Sequence, residues 1–131
     1  MIVLDASAAV AVLLNVGPEA RLIRERISQP DETLHVPHLF EVEVLHAVRR
    51  HNLGGALPAE RMRLALNRLR QTAHPLPHTS FLDRIWELRE NLTAYDAAYV
   101  ALAEALKASL VTTDARLAQA PGNRATVELY Q

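Results

Sequence analysis

A chain of 131 residues, half of them apolar, has room for one domain with a sizeable core, residues 1–131, and would bury roughly two-thirds of its unfolded surface on folding. It carries no cysteine, which excludes disulfides and thiolate metal sites, and a net charge of −1, which excludes bulk electrostatic attraction to nucleic acid. Thirteen arginines accompany a single lysine, Lys107; the bias suits phosphate recognition by the planar guanidinium and suits equally an alanine-rich chain from a G+C-rich genome.

The elements alternate along the chain. Ile2 to Leu4 is a strand, and a buried helix follows Asp5 to about Leu14. Gly17-Pro18-Glu19 opens another helix, with proline and acid in its first turn. Leu34 to Val36 is a short strand; after Pro37 a helix runs to about His51 and stops before Leu53-Gly54-Gly55. Pro58 opens a helix whose Met62, Ala65, Leu66 and Leu69 share one face. His74-Pro75-Leu76-Pro77-His78 is too rich in proline for a central strand and reads as an edge strand or a loop. Helices over Thr79 to Glu90 and Ala94 to Lys107, a strand around Leu110, a short helix and a strand over Thr126 to Leu129 complete the series. Such alternation predicts an α/β fold, a three-layer α/β/α sandwich around a mainly parallel sheet. No uncharged run approaches the ~20 residues that span a membrane. The N-terminal apolar stretch has no positive flank and holds Asp5, unlike a signal peptide, so a cytoplasmic location is expected.

Two acids sit at strand-to-helix junctions, Asp5 after Ile2-Val3-Leu4 and Asp114 after Leu110-Val111-Thr112-Thr113. In a parallel sheet, ligand sites form outside the carboxyl ends of strands, so these two can converge across more than a hundred residues of chain. A third, Asp96, is the one acid in the first turn of an otherwise apolar helix. Each has a plain alternative as a helix cap or dipole partner, and Thr93-Ala94-Tyr95-Asp96 has capping-box spacing. Together, three such acids at one sheet edge would crowd negative charge: two carboxylates ~4 Å apart repel by several kcal/mol at an effective dielectric of ~20. A cation resolves that repulsion. On the helix after Pro37, Glu41 and Glu43 point to nearly opposite sides at ~100° per residue, so one at most faces such a site. Glu43 shares a stripe with His46 and Arg50 and is the expected one; its plain alternative is an intrahelical pair with either.

Four segments, Met-Ile-Val-Leu-Asp5-Ala-Ser7, Val36-Pro37 leading into Glu43-Val-Leu-His46, Thr93-Ala-Tyr-Asp96-Ala-Ala-Tyr-Val-Ala-Leu-Ala-Glu104 and Leu-Val-Thr-Thr113-Asp114-Ala-Arg116-Leu117, closely resemble the PIN-domain ribonucleases, specifically VapC-type toxins of toxin-antitoxin modules. The resemblance spans essentially the whole chain, with the motifs in the family's order. It implies a metal-dependent endoribonuclease that cuts single-stranded regions of RNA, usually as a homodimer, and that is neutralised by a VapB-type antitoxin. It further implies Asp5, Glu43, Asp96 and Asp114 as the catalytic and metal-binding set, with Ser7 and Thr113 as supporting polar groups. His46 stands where the family commonly has asparagine, and is expected as a polar supporting residue.

Hard oxygen donors without cysteine suit Mg²⁺ or Mn²⁺. Such an ion neutralises carboxylates, orients a phosphate oxygen and lowers the pKa of an attacking water, so no side-chain nucleophile is needed. The pairs His35/His38 and His74/His78 lack the helical His-Glu-x-x-His spacing of a zinc protease. A receiver-like phosphoacceptor would want paired acids after the first strand, and a haloacid-dehalogenase-like phosphatase a second aspartate where Ser7 stands. The remaining alternative is a catalytically silent PIN-like scaffold that binds RNA or protein.

Overall fold

The computed structural model describes residues 1–55 and 57–131. Five strands form one sheet: β1 (Ile2–Leu4), β2 (Leu34–Pro37), β3 (Ala73–Leu76), β4 (Ser109–Thr112) and β5 (Val127–Leu129). Among the described residues there are seven α-helices, α1 (Ala6–Leu14), α2 (Gly17–Ile27), α3 (Phe40–Leu53), α4 (Ala59–Thr72), α5 (Leu82–Glu87), α6 (Ala94–Leu106) and α7 (Ala115–Ala118). The strand order is β3-β2-β1-β4-β5 and every pairing is parallel, so a sheet expected to be mainly parallel is wholly so.

The order explains the core. Central strands of a parallel sheet are covered on both faces and tolerate no polar alternation. Ile2, Val3 and Leu4 of β1 are accordingly completely buried, as are Leu110 and Val111 of β4. Helix α6 packs on β1, β2 and β4 and against α5, and its run Ala97 to Ala103 is buried without a break, as its composition predicts. The small alanines let this helix lie close to the strands. Helix α1 packs on α2, α3 and α4, so the sheet lies between two helical layers. The register pairs Leu4 with Val111, and the chain runs outward from β1 through β2 to β3 before returning to β4 on β1's other side. That reversal puts the carboxyl ends of β1 and β4 side by side at a topological switch point.

Two expectations change in the structure, and the histidine-proline alternative resolves to one of its two readings. Helix α1 is only half-buried: Ala8 and Ala9 are covered, while Val10 to Leu14 pack against the core and remain partly exposed. The single helix expected over Thr79 to Glu90 is instead a 3₁₀ turn at His78–Phe81, then α5 ending at Glu87. After it the chain continues in tight turns, with Arg89 N–H donating to Trp86 O and Asn91 N–H to Leu88 O. The histidine-proline stretch is the edge strand β3, where Pro75, opposite Val36, has no partner strand to deprive of an N–H.

Two arginines are largely covered and join separate elements. Arg26 joins α2 to β5 by a two-pronged contact with Glu128 (2.8 and 3.0 Å) and also pairs with Glu32, which holds the N-terminal amine. Arg84 grips Glu104 in the same way (2.8 and 3.0 Å) and reaches Gly122 O, tying α5 to α6 and the final loop. Among the described residues no single helix is long and apolar enough to cross a membrane.

Candidate active site

Asp5 leaves β1 in an extended conformation (φ −74°, ψ 151°) and caps α1. At 4% exposure, it shares with Thr112 the distinction of being a buried polar side chain in the described structure. A buried carboxylate is tolerated only if hydrogen-bonded, and Asp5 is: its Oδ2 accepts from the Ser7 hydroxyl, from Ser7 N–H (3.3 Å) and from Thr112 Oγ1 (2.8 Å). All three end on the same oxygen. Burial pushes the Asp5 carboxyl above the ordinary range, and the Ser7 and Thr112 bonds only partly oppose that.

Asp114 stands at the matching junction after β4 and caps α7, its Oδ1 accepting from Arg116 N–H (2.8 Å) and Leu117 N–H (3.4 Å). Its own N–H donates to Thr112 Oγ1 (3.0 Å). One hydroxyl on β4 thus contacts both acids. Thr112 also lies 3.2 Å from Ser7 Oγ, which accepts from Thr113 N–H (3.1 Å). Thr113 therefore joins this cluster through its backbone, and the side-chain contact with the acids comes from its neighbour. Asp96 is one turn into α6, whose cap is Thr93: Asp96 N–H donates to Thr93 Oγ1 (3.2 Å). Burial and then the charge of Asp5 raise its carboxyl; Thr93 opposes, Asp114 adds, and Arg116 opposes.

On α3 the two glutamates separate as helical periodicity requires. Glu41 pairs with Arg70 of α4 at 3.0 Å and is exposed. Glu43 turns the other way, half-buried, and accepts from the Tyr99 hydroxyl at 2.9 Å, so its partner is neither Arg50 nor His46. Burial pushes the Glu43 carboxyl up to about 7; the Tyr99 bond opposes, while Asp5 and Asp96 raise it further. The phenol of Tyr99 is itself held protonated by burial and by Glu43, Asp5 and Asp96. His46, one turn on, is exposed, with no side-chain hydrogen bond in the described structure.

Mutual charge therefore links Glu43 to Asp5 and Asp96, and Asp96 to Asp5 and Asp114. These are hard oxygen donors, and in Asp5, Glu43 and Asp114 one oxygen carries every recorded hydrogen bond while the other carries none. Among the described residues no three acids or histidines are arranged to close round one ion. An opening of about 600 Å³ lies elsewhere. Its walls are apolar side chains of α1 and α4, including Val12, Leu13 and Leu64, and three arginines, Arg24, Arg61 and Arg68.

Sequence reasoning missed Thr112 and Tyr99. The signal for Thr112 was its place two residues before Asp114 in a buried strand; for Tyr99, its place three residues after Asp96 as a phenol inside an apolar helix.

The PIN domain family model matches residues 2–123. Ribonuclease VapC9 of Mycobacterium tuberculosis is 48% identical over 120 residues, covering 89% of this chain and 88% of that protein. In three dimensions the chain resembles VapC20 of Mycobacterium tuberculosis, a sarcin-ricin loop cleaving toxin (TM-score 0.69, 15% identity, 90% of this chain and 93% of that one). It also resembles a chain of a toxin-antitoxin complex from Klebsiella pneumoniae (TM-score 0.67, 20% identity, 98% and 96% covered). With a family match over nearly its whole length, a close relative among the VapC ribonucleases and a parallel sheet that gathers acids at its switch point, the chain belongs to the PIN-domain family, in its VapC group.

Proposed function

We propose that Asp5, Glu43, Asp96 and Asp114 are the metal-holding and catalytic set of an endoribonuclease toxin, with Ser7, Thr113 and His46 as supporting polar groups and Mg²⁺ or Mn²⁺ as the ion. The observation that carries this is the like-charge coupling of acids from three separate parts of the fold around a buried aspartate. A fold gains nothing by collecting such charge unless something cationic is to be held there. When bound, the ion supplies charge neutralisation, a polarised phosphate oxygen and a water of lowered pKa.

The chain's own residues do the rest. Ser7 and Thr112 hold Asp5 through Oδ2, and the backbone N–H groups of α7 hold Asp114 through Oδ1, so neither acid needs to reorganise when it is used. Arg116, almost fully exposed and loosely paired with Asp114 at 3.7 Å, is suited to a phosphate of an incoming strand. The substrate is single-stranded RNA, whose backbone can enter a cleft that a stiff duplex cannot.

A VapB-type antitoxin is the protein partner. The opening between α1, α2 and α4, apolar below and ringed by arginines, suits an apolar segment that carries carboxylates. A homodimer would cover Val42 and Leu45, which α3 leaves exposed, and the location is the cytoplasm, where RNA and antitoxin are found together. The test is incubation of the antitoxin-free protein with a mixed RNA pool in Mn²⁺ or in EDTA, beside Asp96→Asn. Cleavage that needs the ion and disappears in the variant supports the assignment, with 5′-phosphate and 3′-hydroxyl ends expected. Cleavage that survives in EDTA and in the variant overturns it.

A further inference from the structure

We infer that Tyr99 is a positioning residue for Glu43, holding one carboxylate oxygen so that the other is presented to a divalent cation; this rests on the four acids being the metal site. Tyr99 follows Asp96 by three residues on α6, so the two side chains leave neighbouring points on the same helix face. Its ring is wholly buried, and its hydroxyl crosses to α3 to donate to Glu43 Oε2 at 2.9 Å. Among the described residues that is the one hydrogen bond recorded for the Glu43 carboxylate, and it leaves Oε1 without a donor.

The same division of labour marks the two capping aspartates. Asp5 takes all its hydrogen bonds on Oδ2 and Asp114 on Oδ1, each anchored by the start of the helix it caps. Glu43 has no such anchor. It sits inside the first turn of α3 on a longer, freer side chain, and the cap position of that helix, Leu39, offers no side-chain bond. Tyr99 supplies from the neighbouring helix what the caps supply locally. A phenol suits the task because it donates a hydrogen bond without bringing positive charge; an arginine or lysine there would occupy the carboxylate as the ion's rival.

The test is calorimetric titration of Mn²⁺ into the metal-free full-length protein, its Tyr99→Phe and Glu43→Gln variants and the double variant. Phenylalanine keeps the buried ring and removes only the hydroxyl. Tyr99→Phe is expected to weaken Mn²⁺ binding about tenfold, the scale of one lost charge-assisted hydrogen bond. In the Glu43→Gln background the same change is expected to do nothing further, as two residues acting through one interaction require. Wild-type Mn²⁺ affinity in Tyr99→Phe, with Glu43→Gln weakened, would overturn the role of Tyr99 and leave the four-acid site standing. Equal weakening by Tyr99→Phe in both backgrounds would overturn it too, since the hydroxyl would then act through packing. Unchanged affinity in Glu43→Gln would remove Glu43 from the site, and this inference with it.

Discussion

Replacing Glu43 with glutamine should make the metal-free protein more stable at pH 8. The Glu43 carboxyl is raised from 4.5 to about 7 by burial first and then by the charges of Asp5 and Asp96, the Tyr99 bond opposing. Because its folded value lies above its unfolded one, the folded state holds the proton more tightly. The associated stability is fully present below the unfolded value and is lost as pH rises through about 7. At ~1.4 kcal/mol per unit the shift would amount to about 3 kcal/mol, and solvent screening of this half-buried group reduces that to ~1–2 kcal/mol. Glutamine is uncharged at every pH and its carbonyl can still accept from Tyr99. Thermal melts in EDTA at pH 5, 6, 7 and 8 should therefore find the variant level with the wild type at pH 5. They should find it ahead by several degrees at pH 8, with the gap opening between the unfolded value of 4.5 and about 7 and levelling off above that. The difference between the two proteins reports Glu43 together with its charge coupling to Asp5 and Asp96, which the substitution also removes. A gap that is constant from pH 5 to 8, or one that favours the wild type, would refute the account of the buried carboxylates.

Thr112→Val keeps the shape of a fully buried side chain but removes the hydroxyl that bonds Asp5 and accepts from Asp114 N–H. Urea unfolding should read a loss of ~2–3 kcal/mol, the scale of one hydrogen bond to a charge plus an unsatisfied donor. Mn²⁺ at neutral pH should raise the melting temperature of the wild type and raise that of Asp96→Asn much less, by mass action on the folded state; equal rises would remove Asp96 from the site. Asp5→Asn and Asp5→Ala should both abolish RNA cleavage yet differ in melts, because asparagine still caps α1 while alanine forfeits ~1 kcal/mol or more of capping. Arg116→Ala should raise KM for RNA several-fold and flatten its salt dependence, with Mn²⁺ affinity unchanged in the same titration.

Much of this fold was legible because its signals are local. The unbroken apolar runs of β1 and β4 report strands buried on both faces, and the alanine-rich stretch of α6 reports a helix enclosed on every side. Glycine and proline mark the limits of α3 and α4, through Gly54 and Pro58. Other features depend on partners that a linear reading does not place. Periodicity cannot distinguish a 3₁₀ turn followed by α5 from one longer helix, since both place the same residues on the same face. Nor can composition reveal that α1, apolar all round, is only partly covered. At the site, helix geometry separates Glu41 from Glu43, and the structure turns one to Arg70 and the other to Tyr99. The hydroxyls of Tyr99 and Thr112 were invisible because their partners lie 56 and 107 residues away.

The choice between helix cap and site residue, open for each aspartate in the sequence, is not a choice in the structure. A capping carboxylate spends one oxygen on backbone donors and keeps a second, so Asp5 and Asp114 can terminate strands, start helices and still offer an oxygen to the space between them. The positive helix ends that stabilise a capping carboxylate also lessen the cost of bringing several together. Asp96 and Glu43 gain less from that, being inside their helices rather than at the caps, and both are raised by burial and by their acidic neighbours. Bare, the protein therefore holds Glu43, Asp96 and the more deeply buried Asp5 all with raised carboxyls. A divalent cation must displace whatever protons they hold, so binding tightens as pH rises through about 7, the value at which Glu43 gives up its own. The caps fix where the acids meet, and under the proposed assignment the raised carboxyls of Asp5, Glu43 and Asp96 set the pH at which an ion binds.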